Sequence, residues 1–390
     1  MLSAQASVAA GDYSPWADQR SAPAVLIELA QLRDACSKRC TMGQLRGNTC
    51  VSAKVKCKNA PRWVLNSSQR GGNNAMLRNA GIHGMSLNLV IAVTDGDWFD
   101  MLHQQLNLDE VNFWAPSAAN FRALQPGEMF LFKLHAPRNF IVGGGIFAYA
   151  NALPCSLAWD AFREANGAQS AQSMRTRIAR YRRVDPSDRS DFEIGCRILT
   201  QPFFFEERDW IPVPTSWSPN IVSFKTYNTG DGEGLALWEA VNDRLSRLQF
   251  RGIAGEGIRY GQPQLIRPRL GQGAFRVLVT DTYNRRCAIT QERTLPALEA
   301  AHIRPYGQGG EHEARNGLLF RRDIHSLFDA GYVTVTPDLH FEVSRRIKEE
   351  FDNGRHYYEL HGKPILVPTV DLRRPDPERL RWHNEHAYRG

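Results

Sequence analysis

Residues 287–331, CAITQERTLPALEAAHIRPYGQGGEHEARNGLLFRRDIHSLFDAG, constrain this chain more than any other stretch. His302 follows an apolar run, Asn316 stands 14 residues later, and His325 follows 9 residues beyond that. Residues 298–303 read as a short strand, the turn formers Pro305 to Gly310 as a loop, and residues 318–320 as a second strand. Asp323 is placed to cap a helix with an apolar stripe of Ile324, Leu327 and Phe328, and Gly331 to stop it. Asp329 lies one turn after His325, so both side chains leave one face of that helix and can share a cation. An imidazole and a carboxylate suit Mg, Mn or a later transition ion.

The ordered segments AAHIRP, NGLLF and DIHSLFDAG resemble the HNH endonuclease family, over roughly residues 265–370. The resemblance implies a ββα-metal fold holding one divalent cation against a scissile phosphate, with His302 as general base, Asn316 as the brace of the inter-strand loop and His325 as a metal ligand. The chemistry is consistent: phosphodiester hydrolysis needs an activated water, a base near neutral pKa, and a cation for the growing charge. Two departures stand out. The first CxxC pair found in many members is reduced to Cys287-Ala-Ile-Thr290, and Arg321 and Ile324 stand where the second would fall, so no structural zinc is expected. The residue before the base is commonly a ligand in the family, and here it is Ala301. Glu299 shares the strand face of residue 301 and is the candidate to replace it, giving His325, Asp329 and Glu299 as the expected ligand set.

Composition adds less than the net charge of +7 suggests. Residues 1–84 carry 11 Lys+Arg against 4 Asp+Glu, while the rest of the chain carries 37 of each, so only local basic clusters speak for nucleic acid. Four of the seven cysteines (36, 40, 50 and 57) also fall in that first segment, without a common zinc spacing and without a nearby histidine. The segment lacks sustained periodicity and reads as an extension upstream of a start at Met85, or alternatively as a disordered basic arm. No run of 18 apolar residues exists to cross a membrane, and no signal peptide is visible, so a reducing cytoplasm is the expected compartment.

Residues 85–230 read as a separate α+β domain, with strands at 87–94, 129–135, 140–149, 203–205 and 221–227 and helices at 98–106, 157–166 and 171–182. A strongly curved sheet or small barrel is the expected architecture. The run VNFWAPSAANFRALQPGEMFLFKLHAPRNFIVGGGIF resembles EVE and related PUA-like domains, which read modified bases. A base reader holds a flipped nucleotide between aromatic faces while polar groups check its edge. Trp98, Phe113, Trp114, Trp159 and Trp217 are candidate walls, with Ser117 and Asn120 for the edge, though such aromatics are also ordinary core residues. Arg175, Arg177, Arg180, Arg182 and Arg183 form either a phosphate-facing or a merely solvated helix face.

Residues 231–264 read as a helix and a Gly-rich connection, and residues 265–390 as the nuclease domain. Arg267, Arg269, Arg276, Arg285, Arg286, Arg321 and Arg322 are candidates for DNA contacts. The expected whole is an α+β chain in which a PUA-like reader precedes a ββα-metal nuclease, acting as a modification-dependent DNA endonuclease with a divalent metal ion. DNA is the expected partner and a homodimer is left open. Two rivals stand beside it: an HNH nuclease or nickase indifferent to modification, and a reader without catalysis, suggested by Ala301.

Overall fold

The computed structural model describes residues 86–390 other than 106, 186 and 251–262, together with two short strands nearer the amino end. The chain divides into two compact units, Met1–Gly81 and Ile82–Gly390. In the first, β1 (Leu45–Arg46) pairs antiparallel with β2 (Thr49–Cys50). The other expectations for residues 1–84, and the Gly-rich connection at 251–262, lie outside the described residues.

The second unit opens with β3 (Asn88–Thr94), α1 (Gly96–His103), β4 (Glu110–Ala115), β5 (Met129–Leu134) and β6 (Phe140–Pro154). Helices α2 (Cys155–Phe162) and α3 (Ala171–Arg182), strands β7 (Glu193–Phe204), β8 (Ile211–Pro212) and β9 (Phe224–Asn228), and helix α4 (Gly232–Phe250) follow. The strands form one sheet in the order β4-β7-β6-β5-β3-β9, with β8 added to β6. Only β3 and β5 pair in parallel among the described residues. Its end strands β4 and β9 are not hydrogen-bonded to each other, so the sheet is open: the expected α+β class holds, and of the curved sheet or small barrel expected, the barrel is not formed.

Alternation along the central strands feeds two cores. Val90, Phe130, Phe132 and Leu134 face helices α1 to α3, whereas Leu89, Ile91, Met129 and Leu131 pack with Leu237, Trp238 and Val241 of α4. Both faces are covered, which is why MFLFKL is buried from end to end. Helix α4, expected as part of a connection, therefore belongs to the packing of the sheet. Trp98 and Trp114 must also be reassigned: they are 3% and 8% exposed, and their indole N–H groups donate to the carbonyls of Asn112 and Asn166. Edge strand β4, on which Trp114 lies, was not expected from the sequence.

The unit continues with α5 (Gln272–Thr282), β10 (Leu298–His302), β11 (Gly317–Arg321) and α6 (Arg322–Asp329). The hairpin β12 (Val333–Val335) and β13 (Phe341–Val343) leads to α7 (Arg346–Phe351), α8 (Arg355–Tyr358) and α9 (Pro377–His386). Their core gathers Leu298, Ala301, Phe320, Ile324, Phe328 and Phe341, with Cys287 fully buried among them. No helix among the described residues is long and apolar enough to cross a membrane.

Helix α5 serves two cores at once. Its Ala274 and Val277 pack with the sheet, while Phe275 and Val279 pack with β10, β11 and α6. Glu110 on edge strand β4 fixes its start, accepting hydrogen bonds from the backbone N–H groups of Gly273 at 2.7 Å, Gly271 at 3.0 Å and Ala274 at 3.1 Å. A carboxylate there satisfies free amides and opposes the positive end of the helix. The approach is close: a Cβ on Gly271 would lie 2.5 Å from the Glu110 carboxyl carbon, and one on Gly273 2.6 Å from the Ala161 carbonyl. At the other end, Asp281 accepts from Tyr149 at 2.8 Å and from Asn151. Glu110→Ala is expected to lower unfolding stability by about 1–2 kcal/mol, the scale of a lost helix cap. Chemical denaturation of the two proteins measures it, and an unchanged midpoint would contradict the role.

Candidate active site

Strand β10 runs antiparallel to β11, with Glu299 opposite Phe320 and His302 opposite Gly317. Helix α6 begins directly where β11 ends, so Arg321 closes the strand and Arg322 opens the helix. Asp323 lies inside the first turn and pairs with Arg321, and the cap position belongs to Arg321 rather than to the expected Asp323. Ala301 is fully buried among apolar side chains.

Three of the residues expected at a metal centre come together. His325 places Nδ1 3.0 Å from Glu299 Oε2 and Nε2 3.3 Å from Asp329 Oδ2. Glu299 also holds Arg322, with Nε 3.0 Å from Oε1. An imidazole with two carboxylates is a donor set that accepts a divalent cation. Among the described residues no group of three or more His, Cys, Asp or Glu is placed to hold a metal ion, and the two carboxylates here lie at opposite nitrogens of the His325 ring.

His302 lies at the end of β10 with its ring stacked on Phe275, centroids 3.8 Å apart and planes 11° from parallel. Burial, reinforced by the neighbouring His312 and His325, pulls its pKa down to about 4. The coupling to His325 brings the expected base and the expected ligand into one electrostatic neighbourhood. Asn316 is fully buried. Its side chain accepts from Arg304 N and donates to the carbonyls of Arg304 and Glu311, each at 2.9 Å, so it pins both ends of the loop between the strands. Gly310 is required in that loop, since a Cβ would lie 1.9 Å from the Arg304 carbonyl oxygen.

The expected DNA-contacting residues are scattered by comparison. Arg285, just after α5 and with its side chain 31% exposed, is tied to Glu193 at 3.3 Å and to the Ala152 carbonyl, and so joins the end of that helix to the sheet. Arg321 is engaged by Asp323 and Arg322 by Glu299, while Arg286 is half-buried. Arg175 and Arg182 bond backbone carbonyls and cover Phe192. Ser117 and Asn120 are exposed, whereas Trp98 and Trp114 are not available to stack on a base. Sequence reasoning missed Phe275 and His312. The only signal for His312 is its place in the GGEHEARN loop, ten residues after His302.

Residues 287–336 match the family of HNH endonucleases. The chain carries an HNH endonuclease domain and is a nuclease, for which DNA is the substrate the family implies. No curated protein matches it. Among solved structures, a modification dependent TagI restriction endonuclease is similar over 77% of this chain and 81% of its own, at 13% identity and a TM-score of 0.26.

His302 and His383 are both held at about 4, each chiefly by burial. In the unfolded chain both titrate near 6.5, so between these values the unfolded chain binds more protons. Stability from the neutral rings is complete above about pH 6.5 and is lost as pH falls towards 4. The unfolding midpoint is expected to drop on acidification from about pH 7 to 5, and His383→Asn to reduce that drop. A slope identical to wild type would show that His383 does not carry it.

Proposed function

We propose that this chain hydrolyses DNA phosphodiester bonds with a divalent metal ion, and that its sheet domain directs it to DNA carrying modified bases. The single observation that carries the nuclease chemistry is the pairing of a neutral, half-buried His302 with His325 flanked by Glu299 and Asp329. In this reading His302 takes the proton of an attacking water from the end of β10: burial keeps its ring unprotonated at neutral pH and makes it a weaker base than a free imidazole. His325 and Asp329 would hold the ion, and Glu299 would either join them or orient His325 through Nδ1, as carboxylates commonly do for ligating histidines. Such an ion, Mg, Mn or a later transition metal, supplies charge stabilisation at the phosphate. Asn316 contributes by fixing the loop that adjoins the base.

The preference for modified DNA is supported by the resemblance of residues 111–147 to base-reading domains, with Ser117 and Asn120 exposed at the end of β4. Burial of Trp98 and Trp114 favours a second reading, a nuclease indifferent to modification.

One experiment separates them. Wild type and His302→Ala are compared on modified and plain DNA with Mg or Mn, measuring cleavage and binding separately. His302→Ala is expected to lose about 10²–10⁴-fold in cleavage rate with DNA affinity retained, the range of a general base. Near wild-type cleavage by the variant would remove His302 from the chemistry. Equal wild-type rates on the two DNAs would leave the second reading.

A further inference from the structure

We propose that His312 is a positioning residue for catalysis, holding His302 in the tautomer that can act as a base. The inference rests on the reading of His302 as that base. His302 Nε2 lies 2.9 Å from His312 Nδ1, so one proton is shared between the two rings. Among the described residues, Nδ1 of His302 has no hydrogen-bond partner. A neutral imidazole carries one N–H, and the hydrogen bond at one nitrogen decides which atom bears it. With Nε2–H donating to His312, the lone pair of His302 sits on Nδ1 and is free for a water proton. The opposite arrangement, with His312 donating, would place the proton on Nδ1 of His302 and remove the base.

The surroundings are built to keep this contact. Phe275 stacks beneath His302, and Tyr306 stacks on His312 with centroids 4.6 Å apart and planes 10° from parallel. The two imidazoles meet at 62°, edge to face. Asn316 Nδ2 donates to the carbonyl of Glu311, the residue before His312, so the brace of the loop also sets where His312 stands. The charge of Asp109, at the start of the β4 edge, acts on His312 from the sheet side. When His302 takes the water proton at Nδ1, its Nε2–H remains shared with His312, whose lone pair stabilises the imidazolium. A carboxylate does the same for the histidine of a catalytic triad.

The test uses the full chain and two substitutions that divide the ring's roles. His312→Phe keeps a ring against Tyr306 and removes the acceptor, whereas His312→Asn presents Oδ1 where Nδ1 stood. Single-turnover cleavage with Mn of modified and plain plasmid DNA, and the dissociation constant for each, are measured beside His302→Ala, and the rates are compared on the DNA that wild type cuts faster. The Phe variant is expected to lose about 10²-fold in rate with unchanged affinity, and the Asn variant to recover most of that loss. Wild-type cleavage by the Phe variant, weakened DNA binding as its main defect, or an Asn variant no better than Phe would each overturn the proposal. If His302→Ala cleaves normally, the base reading itself fails; if it is dead while the Phe variant is intact, only this inference fails. Nitrogen-15 NMR of the wild-type histidines decides without any variant: an unprotonated Nδ1 on His302 is expected, and a protonated one overturns the assignment.

Discussion

The carboxylate of Glu110 at the start of α5 is the contact on which the rest of the site depends. It brings an acidic side chain from a sheet edge to three backbone amides of a helix whose other face supports the nuclease core. Phe275, one turn into that helix, lies flat against His302. The orientation of His302 is thus referred back, through one helix, to the edge of the sheet. Asp281, with Tyr149 and Asn151, fixes the far end of the helix in the same manner.

Around this frame, electrostatics sort the histidines by neighbour. His302 is flanked by aromatic carbon and another imidazole, which disfavours its charged form. His325 has a carboxylate at each nitrogen, Glu299 at Nδ1 and Asp329 at Nε2. Two neighbouring imidazoles thus stand in different surroundings, one against aromatic carbon and a third imidazole, the other between two carboxylates, a contrast that fits the different roles proposed for them.

The unit of β10, β11 and α6 was legible in the sequence because its signals are local. Alternation over residues 298–303, the turn formers of the following loop and the stripe of Ile324, Leu327 and Phe328 each need only a few adjacent residues. The proximity of Glu299 to His325 was also readable, from strand alternation past Ala301. What failed depends on distant partners. Trp114 beside Ser117 and Asn120 reads the same whether the indole lines a cage or donates to Asn166, 52 residues away. Arg285 resembles a DNA contact until Glu193, in another part of the chain, is seen to hold it. His312 sits in a polar loop with no period, and only the fold of that loop around Asn316 carries it to His302.

The division of α5 between two cores also bears on how such a protein can be recombined. A chimera cut at the Gly-rich segment before residue 263 would keep α5 with the nuclease but strip Ala274 and Val277 of their packing and the helix start of Glu110. A cut after α5 would instead take Phe275 away from His302. Neither half is a freely exchangeable cassette. Exchange of the sheet domain would have to carry a matching β4 edge, so changes in the sheet and upkeep of the packing around His302 are physically linked.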